Sequence, residues 1–151
     1  MRRLLLSGLA LLALPASARA ADIAISDIKG YLFLEKAGKL SDNVVGGPVL
    51  LNVPRGGAPN GDSASGVMLD FVFTGDKNSQ PKFAVASIDV TVAKKFGQPV
   101  VTHKAFANFA FGPDGITHKP LFLENSTCLN MTIEVHAGKS NKDAKLAFAC
   151  D

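Results

Sequence analysis

The sequence predicts an all-β fold: an antiparallel two-sheet sandwich of seven to eight strands, immunoglobulin-like or a related Greek key, with a flattened β-barrel as the alternative. Three observations carry this. Apolar and polar residues alternate with a period of two, β-branched and aromatic residues fill the alternating runs, and no long stretch repeats apolar residues at helical spacing.

The first twenty residues stand apart. Arg2 and Arg3 precede an apolar run from Leu4 to Leu14, Pro15 breaks it, and Ala18-Arg19-Ala20 is a small-x-small cleavage sequence. This reads as a bacterial-type secretory signal peptide cut between Ala20 and Ala21, which places the protein in the periplasm or the medium. The apolar run falls short of the ~20 residues of a membrane span. Its removal leaves residues 21–151 as a single β-sandwich domain. Three of the 16 basic residues leave with it, so 13 basic residues face 13 acidic ones. A neutral mature chain has no general attraction for nucleic acid or an anionic membrane.

The first strand is expected from Ile23 to Glu35, with a possible break near Ser26 to Lys29, and a short one from Pro48 to Val53. Between Gly38 and Gly66 the chain is otherwise rich in Gly, Pro, Ser and Asn, and PRGGAPNGDSAS, Pro54 to Ser65, is its least structured part. Such a loop on a rigid sandwich either carries function or is a mobile connection without a role. In GVMLDFVFTG, the residues Val67, Leu69, Phe71 and Phe73 share one face. In KFAVASIDVTVAKK, Ala84, Ala86, Ile88, Val90 and Val92 point inward. In MTIEVHA, Met131, Ile133 and Val135 do so.

Strands are also expected from Val100 to Phe111, Thr117 to Leu123 and Lys145 to Cys150. The first of these changes phase: Val100 and Phe106 share one parity, Phe109 and Phe111 the other. A bulge near Ala107-Asn108, or a strand that crosses between sheets, reconciles them. FGPDGIT carries a Pro-Asp-Gly tight turn and is expected to join two antiparallel strands as a hairpin. GDKNSQP and AGKSNKD are further turns.

The two cysteines, Cys128 and Cys150, are expected to form a disulfide, since export means an oxidising compartment and the cysteine count is even. A hairpin turning at Lys139 sets them opposite each other, although pairing Met131 and Ile133 with the face of Leu146 and Phe148 needs a register one residue different. A bulge, or a Cys128 that precedes the regular strand, removes the conflict. A thiolate zinc site lacks its close Cys pair. Copper held by Cys128, Met131 and His136 fails on parity, because Met131 and His136 fall on opposite faces of one strand.

No metalloprotease H-E-x-x-H, no nucleophile elbow G-x-S-x-G and no EF-hand loop occurs. If the Gly112–Gly115 turn sets the pairing, His103 falls opposite Glu124 and His118 opposite Phe109. His103, His118, Glu124 and Asp114 are thus the candidate ligand-site residues, with ordinary cross-strand polar pairing as the competing reading. No catalytic residue, cofactor or metal site is expected.

FGPDGITHKPLFLENSTC, with a second Cys near the C-terminus, resembles small uncharacterised secreted proteins of Gram-negative bacteria. The resemblance covers 18 of the 151 residues. It implies an exported protein and no particular activity. The expected function is therefore a non-enzymatic exported module that binds another envelope or secreted protein, or serves in envelope structure. Exposed sheet edges and the Pro54–Ser65 loop are its contact candidates. The alternatives are a periplasmic carrier of a small ligand or metal, and an enzyme with an unrecognised site.

Overall fold

The computed structural model describes residues 22–94 and 97–150; the expected signal peptide and its Ala20–Ala21 junction lie outside the described residues. Ten strands form. Seven are long: β1 (Ala24–Leu34), β4 (Val67–Thr74), β5 (Ala86–Val92), β6 (Val100–Phe106), β7 (Ile116–Leu123), β8 (Met131–Ala137) and β9 (Ser140–Leu146). Three are two residues each: β2 (Lys39–Leu40), β3 (Leu50–Leu51) and β10 (Phe148–Ala149).

Sheet I has the order β2-β1-β4-β7 and sheet II the order β6-β5-β8-β9, both antiparallel. Counting the long strands in chain order, the first, second and fifth share one sheet and the third, sixth and seventh the other. That is the distribution of an immunoglobulin domain, with the fourth strand, β6, paired to the third. The two sheets are separate layers, so the sandwich describes the fold and the flattened barrel does not.

The alternating patterns explain the core. Val67, Leu69, Phe71 and Phe73 of β4 face Ala86, Ile88 and Val90 of β5 and Met131, Ile133 and Val135 of β8, all buried in one cluster. Phe106 packs tilted against Phe71 and Phe109 edge-to-face against Phe73, at ring distances of 6.0 and 5.0 Å. β1 is a single strand, bulged between Ile25 and Asp27 where Ser26 donates to the Val72 carbonyl at 2.9 Å.

Three expectations need correction. FGPDGIT is a tight turn, closed by Gly115 N–H to Gly112 O at 3.0 Å, but not a hairpin joining paired strands. The strand before it stops at Phe106, Asn108 takes the left-handed conformation at φ 54°, and the chain crosses to sheet I. That crossing flips the parity, so Phe106 and Phe109 both reach the interior. The register left open is decided by the β8–β9 turn, the two-residue Gly138-Lys139, which sets Met131 opposite Leu146. Cys128 precedes β8 and Cys150 follows β10, and they are joined with Cα atoms 5.6 Å apart. Second, the expected strand from Lys145 to Cys150 is split, its end forming β10, which pairs in parallel with β3.

Third, Pro54–Ser65 is anchored. It contains two short 3₁₀ turns, with Val53, Ala58 and Ala64 buried. Buried Asp62 accepts the backbone N–H groups of Lys36, Ala37 and Ser63 at 3.0, 3.0 and 2.7 Å, tying the loop to the end of β1.

Candidate interaction surface

The four candidate ligand residues do not converge. His103 lies opposite Asp89, not Glu124, on the outer face of sheet II, with Nδ1 2.6 Å from the carboxylate. His118 lies opposite Val72, not Phe109, on the outer face of sheet I, with Nδ1 2.8 Å from Asp70. The assumed hairpin had paired them wrongly. Asp114 accepts the Ile116 N–H at 3.0 Å within its turn, and Glu124 is exposed just past the other end of β7. His136 bonds to Asn141 across the β8–β9 pair at 2.9 Å. Each imidazole is thus held by a neighbouring strand, as cross-strand polar pairs are. Among the described residues no three His, Cys, Asp or Glu side chains gather as a metal site.

What the strands do bring together is apolar. Inward-facing Ile28, Leu32 and Leu34 of β1 force Tyr31 and Phe33 outward. Leu69 and Phe71 do the same for Met68, and the inner residues of β7 leave Phe122 outside. Register then aligns them. Leu40 lies opposite Phe33, and Tyr31, Met68 and Phe122 form one row across three strands. Gly66 completes the surface: a Cβ there would sit 2.4 Å from the Phe122 ring, so the ring lies down over the glycine.

Leu40, Phe33 and Phe122 are 40, 42 and 50% exposed, which is high for large apolar residues gathered on one sheet face. Adjacent strands are about 4.8 Å apart, so the patch spans roughly 15 Å across four strands. Its neighbouring rows are polar: Lys29 and Asp70 with Pro120, then Asp27 and His118 with Val72. An apolar centre beside a polar rim is the anatomy of a protein–protein contact.

Two carboxylates near the apolar end stay ionised. Hydrogen bonds from Ser65 and Ser63 hold Glu35 below the usual range, against burial and the Asp62 charge. For Asp62, burial pushes the carboxyl up, but the three backbone N–H groups and the Lys36 charge outweigh it and hold it below its ordinary 3.8.

Sequence reasoning passed over Phe33 and Phe122. In YLFL and PLFL every position is apolar, so alternation alone did not say which phase faces water. The available signal was that lack of a polar phase. Among the described residues no helix is long and apolar enough to cross a membrane. Comparison with protein-family models and with curated proteins finds no match, so no relative assigns this surface a role.

Proposed function

We propose that this protein is a non-enzymatic exported interaction module whose outer face of sheet I docks another envelope or secreted protein. One observation carries the reading: exposed Leu40, Phe33 and Phe122, joined through half-buried Tyr31 and Met68 into one apolar surface. Contiguous apolar patches on soluble proteins mark contact sites, and aromatic side chains supply much of the energy at such contacts. The signal peptide and the Cys128–Cys150 disulfide support an oxidising, extracytoplasmic setting.

The test is photo-crosslinking in the native compartment, with the reactive group placed in turn at Phe33, Phe122 and, as control, Asn141 on the opposite sheet. A single discrete partner crosslinked from Phe33 and Phe122, and lost in a Phe33→Ser plus Phe122→Ser variant probed from Leu40, supports the reading. Equal crosslinking from Asn141, or none from the patch, overturns it. Both phenylalanines are half exposed, so the double variant should unfold within about 1 kcal/mol of the parent.

A further inference from the structure

Beyond the flat face, the two sheets end in four strand edges, and three of them are covered or interrupted. Along β1 the chain returns as β2, and beyond it Val44 N–H reaches Gly30 O at 2.8 Å while Ser41 bonds Leu32. β9 leans on β1, where Lys142 Nζ meets Ser26 O at 2.6 Å. β7 carries Pro120 near its middle, which removes a donor from its open side. β6 has none of these devices. Among the described residues its backbone pairs with β5 alone, and it offers Val100, Val101 and Thr102, β-branched and partly or fully exposed.

The flank of the sandwich beside β6 is also incompletely filled. A pocket of 290 Å³ opens between the sheets near Val100, lined by Val92, Leu123 and Leu129 with Glu124 at its side. Four residues on, Lys104 lies opposite Ile88 and therefore on the same inner side of β6 as Val100. Its ammonium approaches the Phe106 ring at 5.9 Å and makes no ion pair among the described residues. Lys119 on the facing strand is already committed to the carbonyls of Ala107 and Asn108, both at 3.3 Å.

We propose that β6 is a docking edge for an extended segment of a partner polypeptide. The segment adds to sheet II as a further strand, seats an apolar side chain in the pocket beside Val100, and sets a carboxylate against Lys104. Backbone hydrogen bonds supply affinity in this mode, and alternate side chains supply selectivity. Val100 and Lys104 lie about 13 Å apart along the strand, so the two recognised residues are four positions apart. An inward-pointing lysine on an edge guards against indiscriminate pairing, and here it makes pairing conditional on an acid. The same lysine disfavours a second copy as occupant. In antiparallel self-pairing about His103, each Lys104 would meet Thr102 of the other copy, and the two ammonium groups would share one face without an acid between them.

The probe is a nine-residue synthetic peptide alternating threonine with valine and carrying a leucine and a glutamate four positions apart. Its twin carries lysine in place of the glutamate. Amide hydrogen exchange of the full mature protein, read by NMR at about millimolar peptide, gives the answer. The glutamate peptide slows exchange within Val100–Phe106 and leaves Ile116–Leu123 unchanged. The twin binds about fivefold more weakly, and Lys104→Glu, an exposed substitution that leaves the fold intact, reverses that preference. Absence of protection in β6, protection on another strand instead, or a preference indifferent to Lys104→Glu overturns the proposal. So does protection of β6 without peptide that grows with protein concentration, which assigns the edge to a second copy.

Discussion

Replacing Cys128 and Cys150 together by alanine removes a cross-link that closes a 23-residue loop, and the cost follows from chain entropy. For a loop of that size the entropic model gives about 3 kcal/mol, which acts by loosening the unfolded chain rather than by breaking a native contact. In a domain of this length that corresponds to a fall in Tm of roughly 10 °C. The urea m value should rise as well, because the unfolded chain becomes more extended. The structure adds a local expectation. The Cys150 end of the chain holds β10 on β3, where Leu50 N–H bonds Ala147 O at 3.0 Å and Asn52 N–H bonds Ala149 O at 2.8 Å. Hydrogen exchange at Leu50 and Asn52 should quicken at once, while Ile88 and Ile133 in the core change only with global stability. Equilibrium urea unfolding followed by exchange measurements tests both parts. A loss below about 1 kcal/mol refutes the entropic reasoning, and unchanged exchange at Leu50 and Asn52 refutes the idea that the sulfur link secures β10.

Other outcomes follow from single residues. Asp62→Asn should destabilise at neutral pH. The folded carboxyl titrates below 3.8, so its contribution is complete above that pH and is lost as pH falls through the folded value. The gap between parent and variant in urea midpoint should therefore shrink between pH 7 and about pH 2, and a constant gap would discount the three N–H bonds. Phe71→Ala empties the centre of the sandwich, where the ring is fully buried, and should cost about 3–5 kcal/mol by urea unfolding. At Asn108, whose φ is 54°, a valine should cost about 1–2 kcal/mol and a glycine little. Equal stability of the two variants would mean the crossing does not need that conformation.

Strands with one polar phase were legible in the sequence. β4, β5 and β8 put the anticipated residues inside, because Asp70, Asp89 and Glu134 mark the solvent face unambiguously. Turn chemistry was read correctly as local geometry and wrongly as long-range pairing. Pro113-Asp114-Gly115 dictates a reversal, but nothing in three residues says whether the flanking strands share a sheet. The parity change between Phe106 and Phe109 was the stronger clue, and crossing between layers was its cause. Symmetry about Lys139 left the register open, because it set the cysteines opposite each other but put the apolar faces one residue out of step. A two-residue turn and the burial of Met131 opposite Leu146 decide it in favour of the apolar pairing, with Cys128 ahead of the strand. The apolar face escaped because Tyr31 to Leu34 and Leu121 to Leu123 are apolar in both phases, and only the packing of Leu32, Leu34 and their neighbours shows which side is left over. The buried role of Asp62 was equally hidden: a Gly- and Pro-rich segment looked slack, while one carboxylate accepting three N–H groups fastens it.

The parallel pairing of β3 with β10 joins a segment one third of the way along the chain to its last residues. A polypeptide that emerges N-terminus first can assemble β1 with β4, and later β5 with β8, as each appears. Residues 50–52 must wait for residues 147–149, almost a hundred positions later, before their amides find a partner. Final closure of the molecule is therefore timed by the release of its tail, and oxidation of the thiols then makes that last step hard to reverse.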